Sequence, residues 1–128
     1  MLVTGMGAIS PLGLTVGEMW GGLCDGQSGI DYISSFDTDG FGACIAGEVK
    51  GFDPLEFMDA KEARRMARFS QLAVVAALMA IEDSSISMVK ENPERVGVLM
   101  GNGNGGFPTT EDNAKILFEK GGMKGSPF

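Results

Sequence analysis

The chain has 128 residues, 17 acidic and 10 basic side chains, a formal net charge of −7, 20 Gly, 9 Met, 2 Cys and no His. That length suits one domain or a piece of one, able to bury roughly two-thirds of its unfolded surface. Without histidine the chain by itself excludes Ser-His-Asp and Cys-His catalysis and His-based zinc sites; its two cysteines are too few for a four-thiolate site, and its acidic balance argues against a nucleic-acid partner.

Leu2-Val3-Thr4 is a short β-type run that stops at Gly5-Met6-Gly7, so the natural start is expected a few residues upstream. No basic n-region or apolar h-region follows, so no signal peptide is expected. Ser10-Pro11-Leu12-Gly13 is a turn. Thr15 can cap a helix to about Leu23, with Glu18 at capping-box spacing, and Gly26-Gln27-Ser28-Gly29 ends it. Cys24 and Cys44, with nineteen residues between them, lie outside any metal or redox spacing and read as ordinary reduced thiols. Residues 43–49 suit a short strand within an otherwise mixed stretch.

Asp53-Pro54 starts a helical turn through Met58. A long helix is expected over residues 59–83, because Gly and Pro are absent there and Ala, Met, Leu and Glu abound. Residues 72–81 are apolar all round, which asks for burial on every side. Ten residues are half of the ~20 a membrane span needs, so a soluble, cytoplasmic protein is expected. Residues 95–100 read as a buried strand, followed by a glycine-rich loop at 101–106. Pro108 then opens a helix to about Lys120, stopped by Gly121-Gly122. The order of elements is α/β. An end at Gly125-Ser126-Pro127-Phe128 reads as a cut rather than an evolved terminus.

Two features carry chemistry. On a straight helix Lys61, Arg64, Arg65 and Arg68 fall within one arc about 100° wide. With Glu62 they give residues 61–68 a net +3 against −10 elsewhere. Such a knob is either a dock for an acidic partner or a solvated face balancing Asp53, Glu56 and Asp59. The second feature, residues 101–106, fits G-x-G-x-x-G after a predicted strand, the pattern by which glycines admit a pyrophosphate. Its context is poor: Glu111, Asp112 and Glu119, where an acidic strand end belongs, fall on a predicted helix. A tight strand-to-helix turn explains the glycines equally well.

Taken in order, residues 3–13 (Val-Thr-Gly-Met-Gly-Ala-Ile-Ser-Pro-Leu-Gly), Gly26-Gln27-Ser28-Gly29-Ile30, Phe36-Asp37-Thr38, residues 46–50, residues 61–66, Arg95-Val96-Gly97, the glycine loop and Ser126-Pro127-Phe128 resemble the type II β-ketoacyl-acyl-carrier-protein synthases. The resemblance covers the whole chain at family spacing. It implies the N-terminal part of a thiolase-like α-β-α-β-α layered fold, incomplete in this chain. It implies decarboxylative condensation of malonyl carrier protein with an acyl thioester, by a cysteine and two histidines that lie further along the family's chain. Neither Cys24 nor Cys44 matches the nucleophile's motif, so no catalytic residue and no condensing activity are expected of this chain alone.

By the same resemblance Lys61, Arg64 and Arg65 match docking residues for acyl carrier protein, and Arg68 is added from the helical arc. Gly103, Asn104 and Gly105 match the acyl-pocket loop, with Asn104 where an apolar gate is usual. Phe128 matches a pocket region near the partner subunit, which implies a homodimer when intact. No cofactor, metal, nucleic acid or membrane span is implied. A non-catalytic chain-length factor, a polyketide ketosynthase and an independent dinucleotide-binding module are the alternatives.

Overall fold

The computed structural model describes residues 2–103 and 105–121. They form four α-helices, α1 (Val16–Cys24), α2 (Ala60–Ala63), α3 (Arg68–Ser84) and α4 (Phe107–Lys120), and two short strands, β1 (Asp31–Tyr32) and β2 (Ile45–Ala46). Single 3-10 turns lie at Pro54–Glu56 and Pro93–Arg95. The chain divides into two compact units. The first takes residues up to Asp53 together with Val75–Ile86; the second takes Pro54–Val74 and residues from Ser87 on.

The first unit is built from local signals. Ser10 and Gly13 exchange backbone hydrogen bonds of 2.9 and 3.2 Å, closing the expected turn. Thr15 caps α1 by accepting from the Glu18 amide at 3.2 Å, while the Glu18 carboxylate reaches back to the Leu14 amide at 2.7 Å. Two of the otherwise unpaired amides at the helix start are thereby satisfied. At the other end Gly26 takes φ +69°, its amide bonds the Leu23 carbonyl and the Gln27 amide bonds the Gly22 carbonyl. This double closure needs the left-handed residue that glycine supplies.

β1 and β2 pair antiparallel, Asp31 opposite Ala46 and Tyr32 opposite Ile45, so residues 43–49 contribute two strand residues rather than seven. A two-residue ribbon is marginal by itself, and side chains brace it. The Glu48 carboxylate accepts from the Ser34 amide (2.8 Å), the Ser34 hydroxyl (2.7 Å) and the Ser35 amide (3.1 Å). Lys50 Nζ stands 2.8 Å from Asp31, and Phe36 and Phe41 meet edge to face at 5.8 Å. Cys24 and Cys44 are free thiols.

Val75 is fully buried, and the later turns of α3 are approached by backbone. A β-carbon on Gly7 would collide with the Ala76 carbonyl and come 2.8 Å from the Ala80 amide nitrogen, and one on Gly5 would strike Ala80 and Ser84. The Met6 amide donates to Asp83 Oδ2 at 2.8 Å, fixing this approach.

Four expectations are corrected. Residues 2–4 form no strand; Leu2 and Val3 are exposed and have no neighbouring strand among the described residues. Residues 95–100 form no buried strand either. Val96 is extended (φ −107°, ψ 126°), but Leu99 is 97% exposed, because no partner strand lies beside it among the described residues. The apolar run at 72–81 is buried at Val75 and exposed at Val74, Leu78 and Ile81, since packing reaches it from only part of its circumference. The single helix over 59–83 is two helices, α2 and α3, separated by a link over residues 64–67.

The Ser35 and Ser34 side chains, followed by their backbone amides, hold the Glu48 carboxyl down to about 2. A carboxyl whose folded value is depressed stabilises above its ordinary value of 4.5 and loses that contribution as pH falls toward 2. Urea unfolding midpoints should fall across that window, and Glu48→Gln should lower the midpoint at neutral pH and flatten the fall. An unchanged slope in the variant would contradict the clamp.

Candidate functional site

The second unit holds the basic residues and the glycine loop. Asp59 (φ −71°, ψ 155°) caps α2, its carboxylate accepting from the Lys61 and Glu62 amides at 2.8 and 2.9 Å. The helix lasts one turn. The Arg65 amide bonds the Glu62 carbonyl and the Met66 amide bonds the Ala63 carbonyl, tighter i→i+3 closures that end it. The Gln71 amide group then donates to the carbonyls of Ala63 (2.8 Å) and Met66 (3.3 Å). That side chain supplies the partners a continued helix would have given these carbonyls, so the chain stops and restarts without Gly or Pro. A wheel drawn through 59–83 cannot anticipate this, because the cap lies eight residues along from Ala63.

All four predicted cations are exposed, but not as one helical stripe. Lys61 lies in α2, Arg64 is its C-cap, Arg65 is in the link and Arg68 is the first residue of α3. The Arg64 Nε donates to the Ala60 carbonyl at 3.1 Å, which pins its stem to α2. Arg68 is a cation at a helix N-terminus, where the dipole favours anions by about 0.3–1 kcal/mol. No acidic residue shares that first turn.

Facing this link is the start of α4. Gly106 is its N-cap with φ 84°, and Pro108 sits in the first turn, where its missing amide hydrogen is harmless. Asn102 Oδ1 accepts from the Gly105 amide at 3.3 Å, folding the loop on itself. Thr110 bonds back to the Gly106 carbonyl at 3.2 Å. Between link and loop lies an open cleft of about 490 Å³, lined by Arg65, Met66, Phe69, Gly105 and Thr109 among others. On α4 Lys115 and Glu111 form a 2.8 Å pair that lowers the Glu111 carboxyl and raises the Lys115 amine. Both are well exposed, so the pair adds little.

Of the predicted loop residues, Gly103 is exposed with open space where a β-carbon would stand, Gly105 packs on the ring of Phe69, and Asn104 lies outside the described residues, as does Phe128. Glu111, Asp112 and Glu119 are on α4, as expected. The loop therefore opens a helix as a dinucleotide fingerprint does, but no parallel strand pair flanks it among the described residues. Phe69 is the residue that the sequence reading missed. Its significance needs the loop opposite, and no local pattern marks it. No helix among the described residues is long and apolar enough to cross a membrane.

The family model for the N-terminal domain of β-ketoacyl synthases matches residues 1–128. The 3-oxoacyl-[acyl-carrier-protein] synthase 2 of Vibrio cholerae is 46% identical over the whole chain, and that of Synechocystis 44%. The chain spans 31% of the length of each. Among solved structures, a type II polyketide ketosynthase, in complex with its acyl-carrier protein and bound to the hexaketide, is similar over 98% of this chain and 32% of its own. The TM-score is 0.78 and the identity 28%. The ishigamide ketosynthase/chain length factor is similar over 67% of this chain and 21% of its own, with TM-score 0.62 and 41% identity.

If the Gln71 amide ends α2, removing it should loosen the link. Gln71→Leu should destabilise the chain by about 1–3 kcal/mol, since two carbonyls lose a partner at a half-buried site. A urea titration with unchanged midpoint would contradict that role.

Proposed function

The chain belongs to the β-ketoacyl synthase family, and we propose that it is the opening portion of a type II condensing enzyme that docks acyl carrier protein and shapes part of the acyl pocket. The observation that carries the docking is the helix break: it leaves Lys61, Arg64, Arg65 and Arg68 exposed within eight residues, with Arg65 and Arg68 bordering clefts that the glycine loop also lines. Carrier proteins present acidic helices, and cations at contact distance favour them. The chain's overall charge of −7 opposes such a partner. Charges farther off than the Debye length of about 8–10 Å are largely screened, however, so the local cluster decides the encounter.

In this reading the complete protein joins malonyl and acyl groups, each delivered on carrier protein. A cysteine thiolate takes the acyl group and the carrier's thiol leaves. Loss of CO₂ from the malonyl thioester gives a carbanion that attacks the acyl carbonyl carbon and expels the cysteine. That cysteine and two assisting histidines belong to family positions beyond those this chain matches. Here Gly103, Asn104 and Gly105 line the acyl pocket, Phe128 approaches a partner subunit in a homodimer, and the whole adopts the five-layer thiolase-like arrangement in the cytoplasm. Likeness to a ketosynthase/chain length factor supports a second reading, a non-catalytic relative with the same fold and partners. The residue at the nucleophile position of the complete protein separates the two.

Charge reversal tests the dock. Arg64→Glu and Arg65→Glu in the complete protein should each weaken carrier-protein binding by about tenfold at low ionic strength, with the difference shrinking as salt rises. Unchanged affinity at low salt would overturn the assignment.

A further inference from the structure

One side chain walls three clefts of the second unit. Phe69 borders the cleft beside Arg65 and Thr109, a second beside Leu72 and Pro108, and a largely apolar third of about 410 Å³ formed with Ala73, Val74 and Met100. Its ring lies against the loop. A β-carbon on Gly105 would stand 2.6, 2.7 and 2.9 Å from ring carbons Cγ, Cδ2 and Cδ1. One on Gly106 would be 3.2 Å from Cε1.

The two glycines differ in an informative way. Gly106 has φ +84°, so its backbone alone accounts for glycine there. Gly105 is not among the residues with positive φ. Space for the ring is what position 105 requires. Phe69 is the second residue of α3 and is 38% exposed, the rest of its surface being covered in part by the loop.

We propose that Phe69 is a specificity-determining residue of the acyl pocket, its ring on Gly105 setting the spacing between α3 and the loop and closing one end of the apolar cleft. The inference rests on the reading that this loop lines the acyl pocket. Cutting Phe69 back to its β-carbon joins the apolar cleft to the space beside Arg65 and lengthens the room available to an apolar chain.

Two measurements test it in the complete protein. The first is kcat/KM for carrier-bound acyl groups of graded length. Phe69→Ala should shift the ratio of long to short substrates about tenfold toward long, and the milder Phe69→Leu should shift it the same way by less. An equal fall at every length would mean that the ring only supports the fold, and would overturn the proposal. The second is a thermal double-mutant cycle. Gly105→Ala should lower Tm in the unsubstituted protein and change it little in the Phe69→Ala background. Equal losses in both backgrounds would overturn the seat of the ring on the loop. If the unsubstituted protein condenses no substrate, the proposed function fails instead, and the cycle still decides the seat.

Discussion

Backbone brought within van der Waals contact of α3 is the constraint on which both units depend. In the first unit Gly5 and Gly7 lie on the turns around Ala76 and Ala80. In the second the early residue Phe69 lies on Gly105 and Gly106. A methyl group at most of these positions would meet backbone or ring carbons at distances real side chains do not adopt. The abundance of glycine is thus partly a packing requirement of one helix. The conformational entropy each glycine costs is offset by a closeness of approach no other residue allows.

The same helix explains the placement of charge. Had residues 59–83 run as one helix, the four cations would have formed a stripe. The Gln71 side chain instead ends α2 and lets α3 begin at Arg68. The cations are consequently held on three kinds of backbone: a capped single turn, a link and a helix start. Such a cluster is not the single stripe that one straight helix would have given.

Local rules were legible in the sequence wherever the partners lie within a few residues. Thr15 with Glu18, Asp53-Pro54, Pro108 and Gly121 all behave as caps and starts require, because a cap is satisfied inside one turn. Prediction failed where distant partners decide. Residues 95–100 have the composition of a buried strand, but a strand is defined by its neighbour, and none lies beside it among the described residues. The break after Ala63 depends on a glutamine eight residues on, and the importance of Phe69 on a loop some 36 residues away. Family likeness, resting on the order of many weak motifs, was legible where the individual contacts were not. The full-length match to the β-ketoacyl synthase N-terminal domain bears it out.

The central claim is that the broken helix is where an acidic carrier protein lands. Zero-length carbodiimide coupling in the complete protein tests it most directly, because it joins carboxylates to amines only in contact. Lys61 is exposed and belongs to the cluster, whereas Lys50 and Lys115 are engaged with Asp31 and Glu111. The account predicts a cross-linked peptide joining Lys61 to an acidic helix of the carrier, lost when Arg64 and Arg65 are reversed in charge. Cross-links confined to lysines of α4, with Lys61 untouched, would contradict it.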